Sequence, residues 1–206
     1  IPNYIVEEFH KLYHGSLVWK RTSWLGTHIQ KCPLDLMIYQ EIIYRIKPDV
    51  IIETGTLTGG SALFLASILD MINNGKILTI DIVRRENLPV HPRIEYLTDS
   101  STSEKALEVV KANIQKEDVV LVILDSDHSR EHVLREMQLY SQFVTAGSYM
   151  IVEDTNLNGN PIKPEFGPGP KEAIEIFMAE NDGFYVDEAM HKFFLTFNPG
   201  GYLKRK

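Results

Sequence analysis

Five acids sit where they could do chemistry: Glu53, Asp81, Asp125, Glu153 and Asp154 each end or directly follow an apolar run. Asp125 follows Val119 to Leu124 and opens Asp125-Ser126-Asp127-His128, and Glu153-Asp154 follow Tyr149-Met150-Ile151-Val152. If both runs are neighbouring strands, Asp125, Glu153 and Asp154 converge at one sheet edge. Three carboxylates there repel one another unless a cation neutralises them, and an all-oxygen set suits a hard ion, Mg2+ before Zn2+ or Cu. The plainer alternative makes Asp125 and Asp127 helix caps and leaves Glu153 and Asp154 solvated. It is preferred here for Asp127 alone. His128, three residues after Asp125, is either structural or a proton acceptor beside the ion. His132 reads as packing or surface. A non-haem iron site of Asp127, His128 and His132 ranks lower, because it crowds one helix start and leaves Glu153 and Asp154 unused.

The second group of residues is a turn. Val50-Ile51-Ile52 runs into Glu53-Thr54-Gly55-Thr56-Leu57-Thr58-Gly59-Gly60-Ser61. Its glycines lack the G-x-G-x-x-G spacing of a dinucleotide turn and the Gly-Lys-Ser/Thr ending of a phosphate loop. Glu53 would repel a pyrophosphate and suits an ammonium group. Asp81, ending Leu78-Thr79-Ile80, stands where an acid accepts ribose hydroxyls. Thr98-Asp99-Ser100-Ser101 either borders an adenine or caps a helix. An adenosine joined to an amino acid without phosphate describes S-adenosylmethionine, with Glu53, Gly55, Thr56, Gly59, Gly60, Ser61, Asp81, Asp99, Ser100 and Asp125 as its candidate binding residues.

Positioning these groups requires a particular scaffold. Short apolar runs (50–52, 77–80, 94–97, 119–124, 149–152) alternate with amphipathic stretches (60–72, 102–114, 130–143, 171–179), the pattern of a parallel sheet covered on both faces. Phe184 to Val186 and Lys192 to Phe197 are two more strand candidates, joined so closely that they predict a hairpin and an antiparallel end to the sheet. Residues 1–47 read as an N-terminal helical cap, 48–206 as a Rossmann-like α/β core, and the whole as one domain. Asn158 to Pro170 is a long Pro- and Gly-rich loop, a candidate lid.

Composition narrows the field. The 28 acidic and 21 basic residues of the 206 leave a formal net charge of −7, the wrong sign for a polyanion binder. No apolar run approaches the ~20 residues of a membrane span. Ile1-Pro2-Asn3-Tyr4 lacks a signal-peptide pattern, and the single cysteine, Cys32, makes no internal disulfide, which points to the cytoplasm. The apolar N-terminal helices could pair with a second copy.

The chain resembles class I S-adenosylmethionine-dependent methyltransferases, and among them the family named for cephalosporin hydroxylase and rhamnosyl O-methyltransferase. The resemblance rests on Trp24-Leu25-Gly26, Cys32-Pro33-Leu34-Asp35-Leu36, the Glu53 to Ser61 turn, Asp125-Ser126-Asp127-His128, Val152-Glu153-Asp154-Thr155, Gly167-Pro168-Gly169-Pro170 and Phe197-Asn198-Pro199-Gly200-Gly201-Tyr202. It implies a seven-stranded sheet with a reversed last strand. It also implies a divalent ion on Asp125, Glu153 and Asp154, and a cofactor held at its methionine end, turn and ribose by Glu53, Gly55 and Asp81. His128 falls where the related catechol enzymes place a lysine base, so the base is His128 or solvent, with Asp125 beside it. The expected activity is metal-dependent O-methylation of a small-molecule or sugar hydroxyl. A nucleotide-dependent oxidoreductase or hydroxylase and a non-catalytic cofactor-binding module are the rivals. Trp24 either faces an acceptor ring or packs in the core.

Overall fold

The computed structural model describes residues 3–206; Ile1 and Pro2, where the N-terminal reading begins, lie outside the described residues. Helix α1 (Asn3–Gly15) leads through one 3-10 turn into a two-stranded hairpin, β1 (Ser23–Trp24) and β2 (Thr27–His28). Helix α2 (Pro33–Ile46) starts with Pro33 in its first turn, where the missing N–H costs nothing. It stops at Lys47, which is left-handed and precedes Pro48.

From there strand and helix alternate: β3 (Val50–Thr54), α3 (Gly60–Ile72), β4 (Lys76–Asp81), β5 (Ile94–Thr98), α4 (Glu104–Ala112), β6 (Val120–Leu124), α5 (Arg130–Tyr140), β7 (Tyr149–Val152), α6 (Pro170–Glu180), β8 (Phe184–Val186) and β9 (Tyr202–Arg205). The large sheet has seven strands in the order β5-β4-β3-β6-β7-β9-β8. Strands β5 to β7 of that order are parallel, and β9 runs antiparallel to both β7 and β8. The expected mostly parallel sheet with an antiparallel last strand is therefore present. The chain winds outward from β3 to β5 and returns at β6, so β3 and β6 flank the switch point at whose carboxyl edge ligands bind.

Alternation along the buried strands feeds two apolar layers. Val50, Ile52, Val122, Leu124, Met150 and Val152 meet α4, α5 and α6 on one face. Ile51, Leu121, Ile123, Ile151 and Tyr202 meet α2 and α3 on the other. Each fully buried Ile or Leu contributes roughly 1.5–3 kcal/mol to holding the strand ends in place.

The hairpin partner of β8 differs from expectation. Lys192 to Phe197 is not a strand; Tyr202–Arg205 pairs with Phe184–Val186 instead. The 192–197 segment leaves the sheet because Phe197 is taken by a separate apolar cluster with Cys32 and Leu195, flanked by Tyr13 and Trp19. Among the described residues, no helix is long and apolar enough to cross a membrane.

Candidate active site

The turn after β3 is shaped by space. Gly55 has φ +89°, and a Cβ there would lie 1.9 Å from the Asp125 carbonyl oxygen. A Cβ on Gly60 would lie 2.1 Å from the His28 carbonyl oxygen. Glycine is required at both, to let β6 and the β2 segment close on the turn. Gly59 is left-handed (φ +74°) as the residue before α3, and Ser61 lies in the helix's first turn. Asp81 fixes the turn from β4: its Oδ2 accepts the backbone N–H groups of Thr56 (3.1 Å) and Leu57 (2.9 Å). Thr56 Oγ1 pairs with Thr79 Oγ1 at 2.7 Å. Thr79 in turn donates to Glu53 Oε2 at 2.6 Å, while Glu53 Oε1 is buried without a partner. Burial raises the Glu53 carboxyl above its usual range, against the pull of Lys31.

The second half of the site lies at the ends of β6 and β7. Oxygens of Asp125 and Asp154 and a ring nitrogen of His128 lie within 4.8 Å of one another. His128 Nε2 is 3.2 Å from Asp154 Oδ2 and 4.0 Å from Asp125 Oδ1. Asp154 reaches this position through a left-handed backbone (φ 55°), held by a bond from its N–H to Asn198 Oδ1 at 3.0 Å.

Glu153 points the other way, into the protein. Its Oε1 accepts from Tyr39 OH at 2.7 Å and from Lys31 Nζ, which also donates to Asp125 Oδ2. Burial opposes the charge on Lys31, but Asp125, Glu153 and Glu53 together raise its pKa. Burial, then Asp125, push the Glu153 carboxyl up to about 7 against the pull of Lys31. Burial likewise raises Asp125, countered by Lys31 and His128.

A cleft of about 710 Å3 joins the two halves, within the range of small-molecule sites. Its lining includes Gly55, Asp81, Ser100 and Ser101 from the cofactor-turn side and Trp19, Gln30, His128, Asp154 and Lys163. Of the polar cluster after β5, Ser100 and Ser101 face the cleft, whereas Asp99 accepts from Ser100 N at 2.8 Å and pairs with Lys105 at 3.2 Å. The cap of α4 is Ser103, which accepts from Ala106 N at 3.0 Å. Asp127 turns back to accept the Ser129 N–H at 2.7 Å; it braces the turn before α5 and does not cap the helix as expected, since the residue at the N-cap is Ser129. His132 binds Ser101 Oγ at 3.2 Å and Glu136 at 3.4 Å, so Asp127, His128 and His132 form no common ligand set. Trp24 packs edge-on to Phe64 and donates to Ser67 Oγ at 3.0 Å, away from the cleft; Trp19 is the tryptophan that lines it.

The model of the rhamnosyl O-methyltransferase/CmcI family matches residues 16–206. The chain belongs to this family. It is 41% identical to a rhamnosyl O-methyltransferase of Mycobacterium leprae over 209 residues, covering 98% of this chain and 91% of the relative. It is 40% identical to one of Mycobacterium bovis, over 98% of this chain and 85% of the relative. Among solved structures, the fold is similar to CmcI with Mg and SAM (TM-score 0.68, 17% identity, 91% of this chain, 77% of that one). It is also similar to the MycE methyltransferase of the mycinamycin pathway with Mg and SAH (TM-score 0.54, 19% identity, 82% and 44%).

In this family member, four supporting residues escaped the sequence reading: Lys31, Asp35, Tyr39 and Asn198. Buried Asp35 accepts from Thr196 Oγ1 (2.5 Å), Tyr202 OH (2.8 Å) and Phe197 N (2.8 Å), fixing the loop that carries Asn198. Asn198 Nδ2 donates to Tyr39 OH at 3.1 Å, so one loop orients both Glu153 and Asp154. Cys32-Pro33-Leu34-Asp35 and Phe197-Asn198 carried the family resemblance, and only the fold shows why they occur together.

Proposed function

We propose that this protein transfers the methyl group of S-adenosylmethionine to a hydroxyl of a sugar or other small molecule, with a divalent ion at the ends of β6 and β7. The observation that carries it is the juxtaposition, in one cleft, of a glycine turn closed by space and an Asp125-His128-Asp154 cluster. Family membership supports O-methyl transfer, and the relatives' rhamnosyl specificity supports a sugar acceptor.

The donor set fits a hard ion: the carboxylates of Asp125 and Asp154 would hold it from the cleft, with Glu153 behind Asp125 on Lys31 and Tyr39, and His128 stands beside them with its imidazole free to act as base. Such an ion supplies Lewis acidity that lowers the pKa of a bound hydroxyl. The chain's own residues supply the rest. Glu53 Oε1, buried and unpartnered, suits the cofactor's ammonium group. Asp81 accepts three backbone N–H groups, of Thr56, Leu57 and Val83, and keeps capacity on Oδ1 for a ribose hydroxyl. Ser100 and Ser101 border the adenine end. His128 takes the acceptor's proton, and Asp154 at 3.2 Å stabilises the resulting imidazolium. The acceptor oxygen then attacks the methyl carbon as the carbon–sulfur bond breaks, leaving a neutral thioether. Charge is quenched in this step, so alignment and exclusion of water matter most. Trp19 offers an apolar face for a sugar ring or an aromatic acceptor.

The net charge of −7 and the lone buried Cys32 support a cytoplasmic protein that does not act on nucleic acid. The exposed Ile5, Phe9 and Leu12 of α1 support self-association. Calorimetry with S-adenosylhomocysteine, followed by methyl-transfer assays on rhamnosides, other sugars and phenols, tests the reading. Binding of the cofactor product and methylation of a sugar hydroxyl are expected; binding of NAD in its place would overturn it.

A further inference from the structure

Lys31 is the most buried charged base of the site, with a side chain only 4% exposed, and the reaction above does not use it. It projects from a fixed segment: Ile29 and Cys32 are buried, and the Ile29 N–H and C=O both bond to Thr22 (3.1 and 2.6 Å). Its ammonium takes one oxygen from each of two acids, Asp125 Oδ2 and Glu153 Oε1. Asp125 therefore serves two masters, with Oδ2 on Lys31 and Oδ1 toward His128 and the cleft. Glu153 Oε1 is occupied twice, by Lys31 and by Tyr39 OH.

We propose that Lys31 is a resident counter-ion of the site, a positioning residue that keeps Asp125 and Glu153 assembled when no divalent ion is bound and that competes with an arriving ion for Glu153. A buried carboxylate, Glu153, and a part-buried one, Asp125, repel each other when both are ionised unless a cation stands between them. Lys31 provides one from within the chain. The cluster is thereby preassembled, and an ion can first engage Asp125 and Asp154 from the cleft. To share Glu153 it competes with the Lys31 ammonium held on Oε1. The ion's affinity is correspondingly lowered, and the fold does not depend on it. This inference rests on the ion-assisted reading of the cluster above.

The test is a double-mutant cycle between Lys31→Met and Glu153→Gln, read by Mg2+ calorimetry and by melting in EDTA, with no activity measurement needed. Lys31→Met is expected to bind Mg2+ more tightly than wild type. That gain should be at least about tenfold larger with Glu153 present than in the Glu153→Gln background. Equal gains in both backgrounds, the result of through-space charge alone, would overturn the proposal, as would no gain. In EDTA, Lys31→Met should melt about 10 °C below wild type and recover with Mg2+, whereas wild type changes little. An unchanged melting point for Lys31→Met would also overturn it. If Lys31→Met does not fold even with Mg2+, Lys31→Gln, which removes the charge but keeps a polar N–H donor, carries the same cycle. A wild type that binds no Mg2+ refutes the ion-assisted reading, and the EDTA melt of the Lys31 variants then decides the counter-ion role separately.

Discussion

The two halves of the cleft are built by different means. The glycine turn after β3 is a problem of volume: Gly55 and Gly60 admit backbone at distances no Cβ tolerates. The carboxylate cluster is a problem of charge. Glu153 and Lys31 are buried beside the part-buried Asp125 and held by Tyr39 and Asn198. The first is local in the chain, and the second gathers residues 94 to 159 positions apart. A turn that must admit neighbouring backbone closely is written in adjacent residues. A site that must keep charge out of water recruits partners wherever the fold supplies them.

Substitutions sharpen this contrast. Gly55→Ala should have the largest effect, because a left-handed φ and a 1.9 Å contact with backbone leave nothing flexible to yield. A loss on the order of 4 kcal/mol in denaturant unfolding, together with loss of cofactor binding, is expected. In the charged half, Asn198→Ala orphans the Asp154 N–H and frees Tyr39. It should cost about 2–3 kcal/mol and weaken Mg2+ binding while leaving S-adenosylhomocysteine binding within about threefold. Equal damage to both ligands would erase the distinction between the halves.

A pH-dependent prediction concerns the bond that ties α1 to the charged half. His10 stacks on Phe197 and its Nε2 accepts from Asn156 Nδ2 at 2.9 Å, so it is held neutral. Burial, then His14, lower its pKa from 6.5 to about 4. A histidine depressed in the folded state stabilises fully above its unfolded value and loses that stability as pH falls from 6.5 toward 4. Relative to His10→Gln, wild type should lose about 2 kcal/mol between pH 7 and pH 5, measured by urea unfolding. The smallest effect belongs to the two tryptophans. Trp19→Phe should raise the acceptor KM several-fold without changing cofactor binding. Trp24→Phe, which loses one bond to Ser67, should cost about 1 kcal/mol of stability and leave KM unchanged.

The contrast also explains what the sequence could tell. Apolar runs ending in acids placed Glu53, Asp81, Asp125 and Asp154 correctly at one edge, because strand ends in a parallel sheet share that edge. Lys31 lies in an irregular stretch with no periodicity to betray it, and Tyr39 reads as one more core residue of α2. Lys192 to Phe197 carries strand-like residues, yet Thr196 and the Phe197 N–H are used by Asp35, and Phe197 by the cluster under α1. Pattern alone cannot separate a strand from a loop in which Leu195, Thr196 and Phe197 all have tertiary partners.

The central claim is methyl transfer assisted by an ion at Asp125 and Asp154. It is tested most directly by following labelled methyl transfer from S-adenosylmethionine to a rhamnoside before and after EDTA, with Mg2+ then restored. The account predicts that transfer falls at least about a hundredfold in EDTA and returns with Mg2+, since Lewis-acid assistance supplies several kcal/mol. Undiminished transfer in EDTA would contradict it.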